Sequence, residues 1–225
     1  MKKLLLVIYM FGMGSLGWAQ SAPPLGSAQS FAVLGGSTVT NTGPTVITGD
    51  LGVSPGTAVT GFPPGSVTGG SIHAGDATAV SAQANAHTAY AALAAEPCGT
   101  NLTGKTLGTS PGAVTLSPGV YCFNTSAQLA GTLTLNGGGV YIFKIGTTLT
   151  TASNSSVVLA KGATAGNVFW QVGSSATLGT NTAFEGSLLA NISDTITAGA
   201  SVTGRVFALT GAVTLSGNRI HAASK

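Results

Sequence analysis

The stretch GSLLANISDTITAGASVTGRVFALTGAVTLSG, residues 186–217, contains one pattern twice. Segments 186–190 (GSLLA) and 204–208 (GRVFA) begin 18 residues apart, and Thr195-Ile196 precedes Thr214-Leu215 by 19 residues. Repeated units of a few short strands cannot bury their apolar sides alone, so they are typical of stacked coils. The repeat therefore predicts a β-solenoid.

The same pattern extends towards the N-terminus. Residues 140–146 (VYIFKIG) recur as residues 168–173 (VFWQVG) with an offset of 28 residues, which indicates one coil that carries an insertion. Most of the remaining chain consists of short runs rich in Val, Ile, Leu, Thr and Phe, separated by Gly, Asn, Ser and Pro. Such runs are read as strands and turns, so the chain is predicted to be mainly β.

One segment differs from the rest. Residues 76–95 (DATAVSAQANAHTAYAALAA) lack Gly and Pro and are rich in alanine, the strongest helix former. Asp76 occupies the position of an N-cap. An apolar stripe with three-and-four spacing is formed by Ala79, Ala82, Ala86, Ala89, Tyr90 and Leu93. We expect one helix at about 76–95, packed along the solenoid.

The N-terminus has the pattern of a signal peptide. Two lysines precede the apolar run 4–11, and small residues lead up to Ala19, so cleavage is expected near Ala19. The apolar run is too short to span a bilayer, and we expect no membrane insertion. The prediction is a signal peptide at 1–19 and one secreted domain at 20–225, a monomer that is free or associated with the cell surface.

The charge balance limits the possible partners. Charged residues are 6% of the chain, and the net charge of +3 comes from 8 Lys+Arg against 5 Asp+Glu. There is no basic stripe for nucleic acid or anionic lipid, so neither is expected as a partner. After export, Cys98 and Cys122 would meet an oxidising compartment, which favours a disulfide between them. Two buried free thiols are the alternative.

Residues 99–106 (GTNLTGKT) match the phosphate-binding loop pattern. That motif functions only between a buried strand and a following helix, whose N-terminus faces the phosphates. Here an alanine-rich helical segment precedes it, and the turn-forming residues 107–112 follow. We therefore expect no nucleotide binding.

The sequence offers no pattern of catalytic or metal-ligating residues. The three histidines are isolated and neither cysteine belongs to a CxxC pair, so no metal and no cofactor are expected. The carboxylates are scattered, and Asp194 is interpreted as a turn residue before Thr195. General acid and base catalysis needs such groups clustered, so the protein is not expected to be an enzyme.

Alternation within the repeats predicts which side chains face outward. Six apolar residues are predicted to point inward: Leu133, Leu135, Leu149, Leu178, Ile196 and Leu215. The residues directly before them are then outward: Thr132, Thr134, Thr148, Thr177, Thr195 and Thr214. The residues after four of them are also outward: Thr150, Gly179, Thr197 and Ser216. In register, the two sets would form two ladders with a spacing of about 4.7–4.9 Å.

Several segments together resemble those of the microbial β-helical ice-binding protein family. They are 25–35 (LGSAQSFAVLG), 49–56 (GDLGVSPG), 116–121 (LSPGVY), 168–173 and 204–208. The similarity runs from about residue 25 to residue 220, essentially the whole mature chain. It implies a discontinuous right-handed β-helix of triangular section with one long α-helix alongside.

The resemblance also implies a function. Some family members carry a Thr-Ala/Gly-x-Thr/Asn pattern on the ice-binding face, which residues 151–154 match fully and residues 178–181, 197–200 and 215–218 match in part. We therefore expect a secreted protein that adsorbs to ice through a flat threonine-rich face and inhibits ice growth or recrystallisation. The alternative is a non-catalytic adhesion module that binds polysaccharide or protein through the same face. The residues expected to bind ice are Thr132, Thr134, Thr148, Thr150, Thr151, Asn154, Thr177, Thr180, Asn181, Thr195, Thr197, Thr214 and Ser216.

Overall fold

The structure is a computed structural model that describes residues 20–110 and 112–223. The predicted signal peptide, residues 1–19, lies outside the described residues. One α-helix, α1, spans Ala77–Ala95, and two short 3-10 helices span Gly26–Ser30 and Ala165–Asn167. The strands are β1 Phe31–Gly35, β2 Thr38–Thr42, β3 Val46–Thr48, β4 Asp50–Val53, β5 Ala58–Thr60, β6 Ser66–Thr68, β7 Ile72–Ala74, β8 Thr100–Asn101, β9 Thr106–Leu107, β10 Thr115–Leu116, β11 Gly119–Phe123, β12 Ala127–Leu129, β13 Thr132–Asn136, β14 Tyr141–Ile145, β15 Leu149–Thr151, β16 Ser156–Ala160, β17 Val168–Val172, β18 Ala176–Leu178, β19 Ala183–Ala190, β20 Asp194–Ile196, β21 Ser201–Ala208, β22 Val213–Ser216 and β23 Arg219–His221.

The strands stack in parallel on three sides, which produces the expected triangular section. The threonine face consists of β9, β12, β15, β18, β20, β22, β2 and β5, in spatial order. The helix-covered face follows the order β8, β11, β14, β17, β19, β21, β1, β4 and β7. The third face follows the order β10, β13, β16, β19, β21, β23, β3 and β6; β19 and β21 are long enough to belong to two faces. These parallel stacks confirm the predicted β-solenoid.

The stacking order differs from the chain order. Strands β21–β23, near the C-terminus, pair with β1–β3, so Val206 lies beside Val33, Val213 beside Val39, and Ile220 beside Ile47. We call this contact between β21–β23 and β1–β3 the seam. It makes the solenoid discontinuous, as the family resemblance implies.

The interior is a column of stacked side chains. The inward leucines and isoleucine predicted from the alternation are all buried. Large aromatic rings also stack from coil to coil, with the Phe143 and Trp170 rings 3.9 Å apart between centroids and 9° from parallel. Tyr121 continues this stack on one side and Phe184 on the other. The core is therefore as periodic as the surface.

Helix α1 covers one side of the solenoid. The carboxylate of Asp76 caps its N-terminus, since Oδ1 accepts a hydrogen bond of 2.8 Å from the Ala79 amide. The predicted alanine stripe and Leu93 are buried, while Tyr90 is half-buried. Their partners are outward side chains of the helix-covered face, including Phe31, Ile142, Phe169, Leu189 and Phe207. Small alanine side chains permit this close contact, which confirms the predicted helix and its packing.

The predicted disulfide is present. Cys98 and Cys122 are bonded, with 5.9 Å between their Cα atoms, and they join the segment after α1 to strand β11. The phosphate-loop-like residues 99–106 lie in the same end coil, where they form β8, a turn and the start of β9. In the described part of the chain, β10 and then β11 follow this coil, and a helix does not.

Candidate functional site

A row of outward side chains runs along the middle of the threonine face. Strand pairing places each member directly beside the next, so the row crosses all eight strands of this face. Seven of its eight members are threonine. In spatial order the row is Thr106, Gln128, Thr150, Thr177, Thr195, Thr214, Thr40 and Thr60. We call it the central row; at about 4.8 Å per strand it is roughly 33 Å long.

Short uncharged side chains flank the central row on both sides. One flanking row consists of the residues two positions earlier in the sequence, and it includes Thr148, Ser175, Ser193, Ala212, Thr38 and Ala58. The other flanking row consists of the residues two positions later in the sequence, and it includes Ala130, Ala152, Gly179, Thr197, Ser216 and Thr42. No residue in these three rows is charged. The face thus presents methyl and hydroxyl groups in a regular two-dimensional array.

The structure brings most of the predicted ice-binding residues together. Thr150, Thr177, Thr195 and Thr214 belong to the central row, and Thr148, Thr197 and Ser216 to the flanking rows. Three more residues lie at the corner between the threonine face and the third face: Asn154, Thr180 and Asn181. There the amide of Asn181 donates a hydrogen bond of 3.3 Å to Oδ1 of Asn154.

Two predicted residues lie on a different side of the molecule. Thr132 and Thr134 are in β13, on the third face, where they pair with Ser156 and Val158. The alternation assigns them correctly as outward, but alternation within a strand does not identify which of the three sides the strand belongs to. The threonines predicted as one set are therefore divided between two faces.

Thr151 is buried rather than on the surface. Its side chain points into the solenoid, is 3% exposed, and lies 2.8 Å from the hydroxyl of Thr182. The amide of Gly179 also donates to the Thr151 hydroxyl at 2.8 Å. These hydrogen bonds allow a polar residue to occupy a position that Leu178 fills in the next strand.

The predicted register is also wrong at β15. The alternation predicted that Thr148 and Thr177 belong to the same row, because each precedes a leucine. In the structure Leu149 pairs with Ala176, and Thr150 pairs with Thr177. The slip moves Thr148 from the central row to a flanking row.

Three threonines of the central row were not among the residues predicted from the sequence. Thr40 and Thr60 belong to N-terminal strands that stack beyond β22, and Thr106 belongs to the end coil. The alternation in residues 38–42 (TVTNT) was a usable signal for the outward threonines there. Nothing in the sequence shows that this strand continues the row of Thr214.

The third face has a different electrostatic character. Glu185 in β19 and Arg219 and His221 in β23 lie on it, with β21 between the two strands. The exposed side chains of Val46 and Val158 lie on the same face. Burial raises the pKa of Glu185 above its ordinary value. The third face thus carries charged side chains, whereas the three rows of the threonine face carry none.

Asp194 is a buried carboxyl beneath the central row, not the turn residue that the sequence suggested. It is fully buried in β20 between Ala176 and Val213, and neither oxygen has a hydrogen-bond partner among the described residues. Desolvation raises the pKa of this carboxyl well above 3.8, because burial penalises the charged form.

Asp194 is expected to make the stability of the protein depend on pH. Its folded pKa exceeds its unfolded pKa, so between the two values the folded state binds more protons and stability falls as pH rises, by at most about 1.4 kcal/mol per pH unit. Asp194→Asn should remove this decrease of stability with rising pH. Denaturant unfolding of both proteins from pH 3 upward measures the free energy of unfolding against pH. If the two proteins gave parallel curves of that free energy, the assignment to Asp194 would be contradicted.

The described residues contain no group of three His, Cys, Asp or Glu side chains that could hold a metal ion. None of the helices in the described part of the chain is long and apolar enough to cross a membrane. The fold and the surface together define a class: a parallel β-solenoid that presents a repetitive, uncharged array of threonines.

Comparison with known proteins identifies the family. The Ice-binding-like family model matches residues 33–221. An ice-binding protein from Nostoc sp. (strain HG1) is 52% identical over 207 residues, which cover 90% of this chain and 75% of that relative. The chain belongs to the ice-binding-like family.

Solved structures show the same architecture. The crystal structure of an ice binding protein from an Antarctic biological consortium is 42% identical, with a TM-score of 0.85 over 91% of this chain and 92% of that one. The ice-binding protein of the Antarctic ascomycete Antarctomyces psychrotrophicus is 39% identical, with a TM-score of 0.84 over 91% of this chain and 100% of that one.

Proposed function

We propose that the protein is exported and adsorbs to ice crystals through the threonine face, and so inhibits ice growth or recrystallisation outside the cell. The observation that carries the proposal is the central row, in which seven of eight members in register are threonine. Membership of the ice-binding-like family supports it.

The chemistry of threonine suits a crystalline water surface. A methyl group orders the water around it, and a hydroxyl group anchors that water by hydrogen bonds. Parallel strands repeat this pair of groups every 4.7–4.9 Å or so, a spacing of the same order as the oxygen repeats in ice. The ordered water over the face would then join the lattice.

Rigidity makes many weak contacts sufficient. Threonine loses little side-chain entropy when it is immobilised, because β-branching already restricts its rotamers. The buried stack of Tyr121, Phe143, Trp170 and Phe184 fixes the coils that carry these threonines. Contacts from one rigid face therefore add with little further cost in ordering.

Adsorbed molecules would stop growth through curvature. Ice between two adsorbed molecules has to advance as a curved front, and a curved front melts at a lower temperature than a flat one. Growth would therefore stop within a range of temperatures below the melting point. This mechanism needs no covalent chemistry, so we propose that the protein is not an enzyme.

The alternative function, adhesion to polysaccharide or protein, receives less support. Sugar-binding sites use grooves that combine aromatic platforms with polar groups. None of the residues named above in the three rows of the threonine face is aromatic.

We also propose residues 1–19 as a signal peptide and residues 20–225 as one monomeric domain. The disulfide between Cys98 and Cys122 supports export, because such bonds persist in oxidising compartments.

The direct test is crystal growth in a nanolitre osmometer with the purified chain 20–225. We expect faceted crystals and a gap between the melting and freezing temperatures. Smooth discs without a gap, from protein shown to be folded by circular dichroism, would contradict the proposal. Glycan binding would then be tested next.

Gln128 interrupts the central row, and its replacement by threonine is expected to increase activity. The exposed glutamine has a longer side chain, which loses more conformational entropy when it is immobilised, by about 0.5 kcal/mol or more. The gap for Gln128→Thr should widen by roughly twofold at equal concentration, as that energy corresponds to about a twofold change in affinity. Gln29→Thr, an exposed substitution outside this face, is the control. An unchanged gap for Gln128→Thr would place this end of the row outside the ice contact.

A further inference from the structure

The central row crosses the seam, where the two paired strands do not belong to consecutive coils of the chain. Elsewhere in β11–β23 each coil leads directly into the next. At the seam Thr214 lies beside Thr40, although the two residues come from opposite ends of the chain. The register of the two halves therefore depends on non-covalent contacts.

Asn218 is buried at this seam and joins three coils. It is 1% exposed, and its side-chain amide donates to the carbonyls of Thr197 at 2.8 Å and Ala200 at 3.1 Å in the preceding coil. Within its own turn, Oδ1 accepts from the Ser216 amide at 2.6 Å. Across the seam, its backbone amide donates to the Thr45 hydroxyl at 3.0 Å.

The hydrogen bonds continue beyond the seam. The Thr45 hydroxyl, itself fully buried, donates to Oδ1 of Asn41. The Asn41 amide then donates to the carbonyl of Gly61 at 2.8 Å, in the next coil. This chain of polar contacts follows the corner between the threonine face and the third face, directly beside the row that contains Ser216 and Thr42.

We infer that Asn218, acting with Thr45, is a positioning residue for the threonine face: it aligns Thr214 with Thr40 across the seam. A slip of one residue would put Val39 or Asn41 on the surface in place of Thr40, because alternate residues face opposite sides of a strand. A slip would also break the hydrogen bond from the buried backbone amide of Asn218 to the hydroxyl of Thr45, and leaving such buried groups unpaired is costly. The role in ice adsorption rests on the proposed function.

The test compares Asn218→Ala with Gln83→Ala. Gln83 is similarly buried and donates to the carbonyls of Ala208 and Leu209, but it belongs to α1, which packs on the helix-covered face away from the threonine face. Two readouts are needed: the gap between melting and freezing temperatures, and hydrogen exchange of seam amides. The reporters are the amides of Gly217, which bonds to the Thr42 carbonyl, and Val46, which bonds to the Asn218 carbonyl.

In Asn218→Ala we expect exchange of both seam amides to accelerate about tenfold relative to amides between β15 and β18, as in local opening of a structure. The gap should shrink severalfold, while Gln83→Ala lowers Tm but keeps its gap. Unchanged seam exchange in folded Asn218→Ala would overturn the inference, and so would an equal loss of gap in Gln83→Ala.

Two further outcomes are also decisive. If Asn218→Ala does not fold, Thr45→Val replaces it; this nearly isosteric change removes only the hydroxyl that bonds across the seam, and the same criteria apply. If the unsubstituted protein shows no gap, the proposed function fails, whereas the exchange of the seam amides still confirms or overturns the positioning role.

Discussion

Replacing Thr195 by tyrosine is expected to abolish most of the ice adsorption without unfolding the protein. Thr195 lies near the middle of the central row, between Thr177 and Thr214. A tyrosine ring would stand above the array of short side chains and hold the neighbouring threonines away from a flat lattice. A loss of about 1.4 kcal/mol in adsorption energy already corresponds to a tenfold loss of affinity. We expect the gap between melting and freezing temperatures to fall by at least that factor.

The matched control is Thr134→Tyr. Thr134 is also an outward threonine in a parallel strand, but it lies on the third face beside Val158. Its substitution should leave the gap unchanged, with circular dichroism and Tm measured for both variants. If Thr134→Tyr reduced the gap as much as Thr195→Tyr, ice would contact both sides, and the threonine face would not be the site.

Removing the ring of Trp170 is expected to have the largest effect on stability. Trp170 is fully buried between Phe143 and Phe184, and its indole N–H donates to the carbonyl of Glu185 at 3.0 Å. Trp170→Ala would leave a cavity in the aromatic column and an unpaired buried carbonyl. We expect a loss of about 3–5 kcal/mol in the free energy of unfolding, which lowers Tm by roughly 10 °C or more in a domain of this size.

Trp170→Phe separates the contribution of aromatic packing from that of the indole hydrogen bond. It keeps an aromatic ring in the stack but removes the hydrogen bond to Glu185, so the expected loss is about 1–2 kcal/mol. Denaturant unfolding at neutral pH measures both variants. A loss below about 1 kcal/mol for Trp170→Ala would show that the coils do not depend on the aromatic column.

Local patterns predicted the elements well because their causes are local. The helix follows from alanine content, three-and-four spacing and the cap at Asp76, all of which act within a few residues. The repeats from residue 140 onward predicted the stacked coils, since a repeated unit with one apolar side has to bury it against its neighbours. The buried positions of Leu178, Ile196 and Leu215 follow from the same alternation.

The alternation predicted that outward threonines form a face, but it did not predict correctly which threonines belong to that face. Thr151 matches the family pattern but is buried, because the hydroxyl of Thr182 and the amide of Gly179 satisfy its side chain inside the solenoid. Thr132 is outward but lies on the third face. Neither outcome is encoded in the residue itself; each depends on which coil and which side lie next to it.

The sequence by itself determined that the chain forms stacked coils with threonine on their outer side and a helix alongside, and it favoured a disulfide between Cys98 and Cys122. The tertiary structure alone decided which threonines share a face, because the corner turns assign each strand to one of three sides. It also decided the length of the central row, since Thr40 and Thr60 join it only when the N-terminal strands stack on β22 across the seam. That contact joins residues more than 170 positions apart, and its register depends on packing and on buried hydrogen bonds such as that from Asn218 to Thr45.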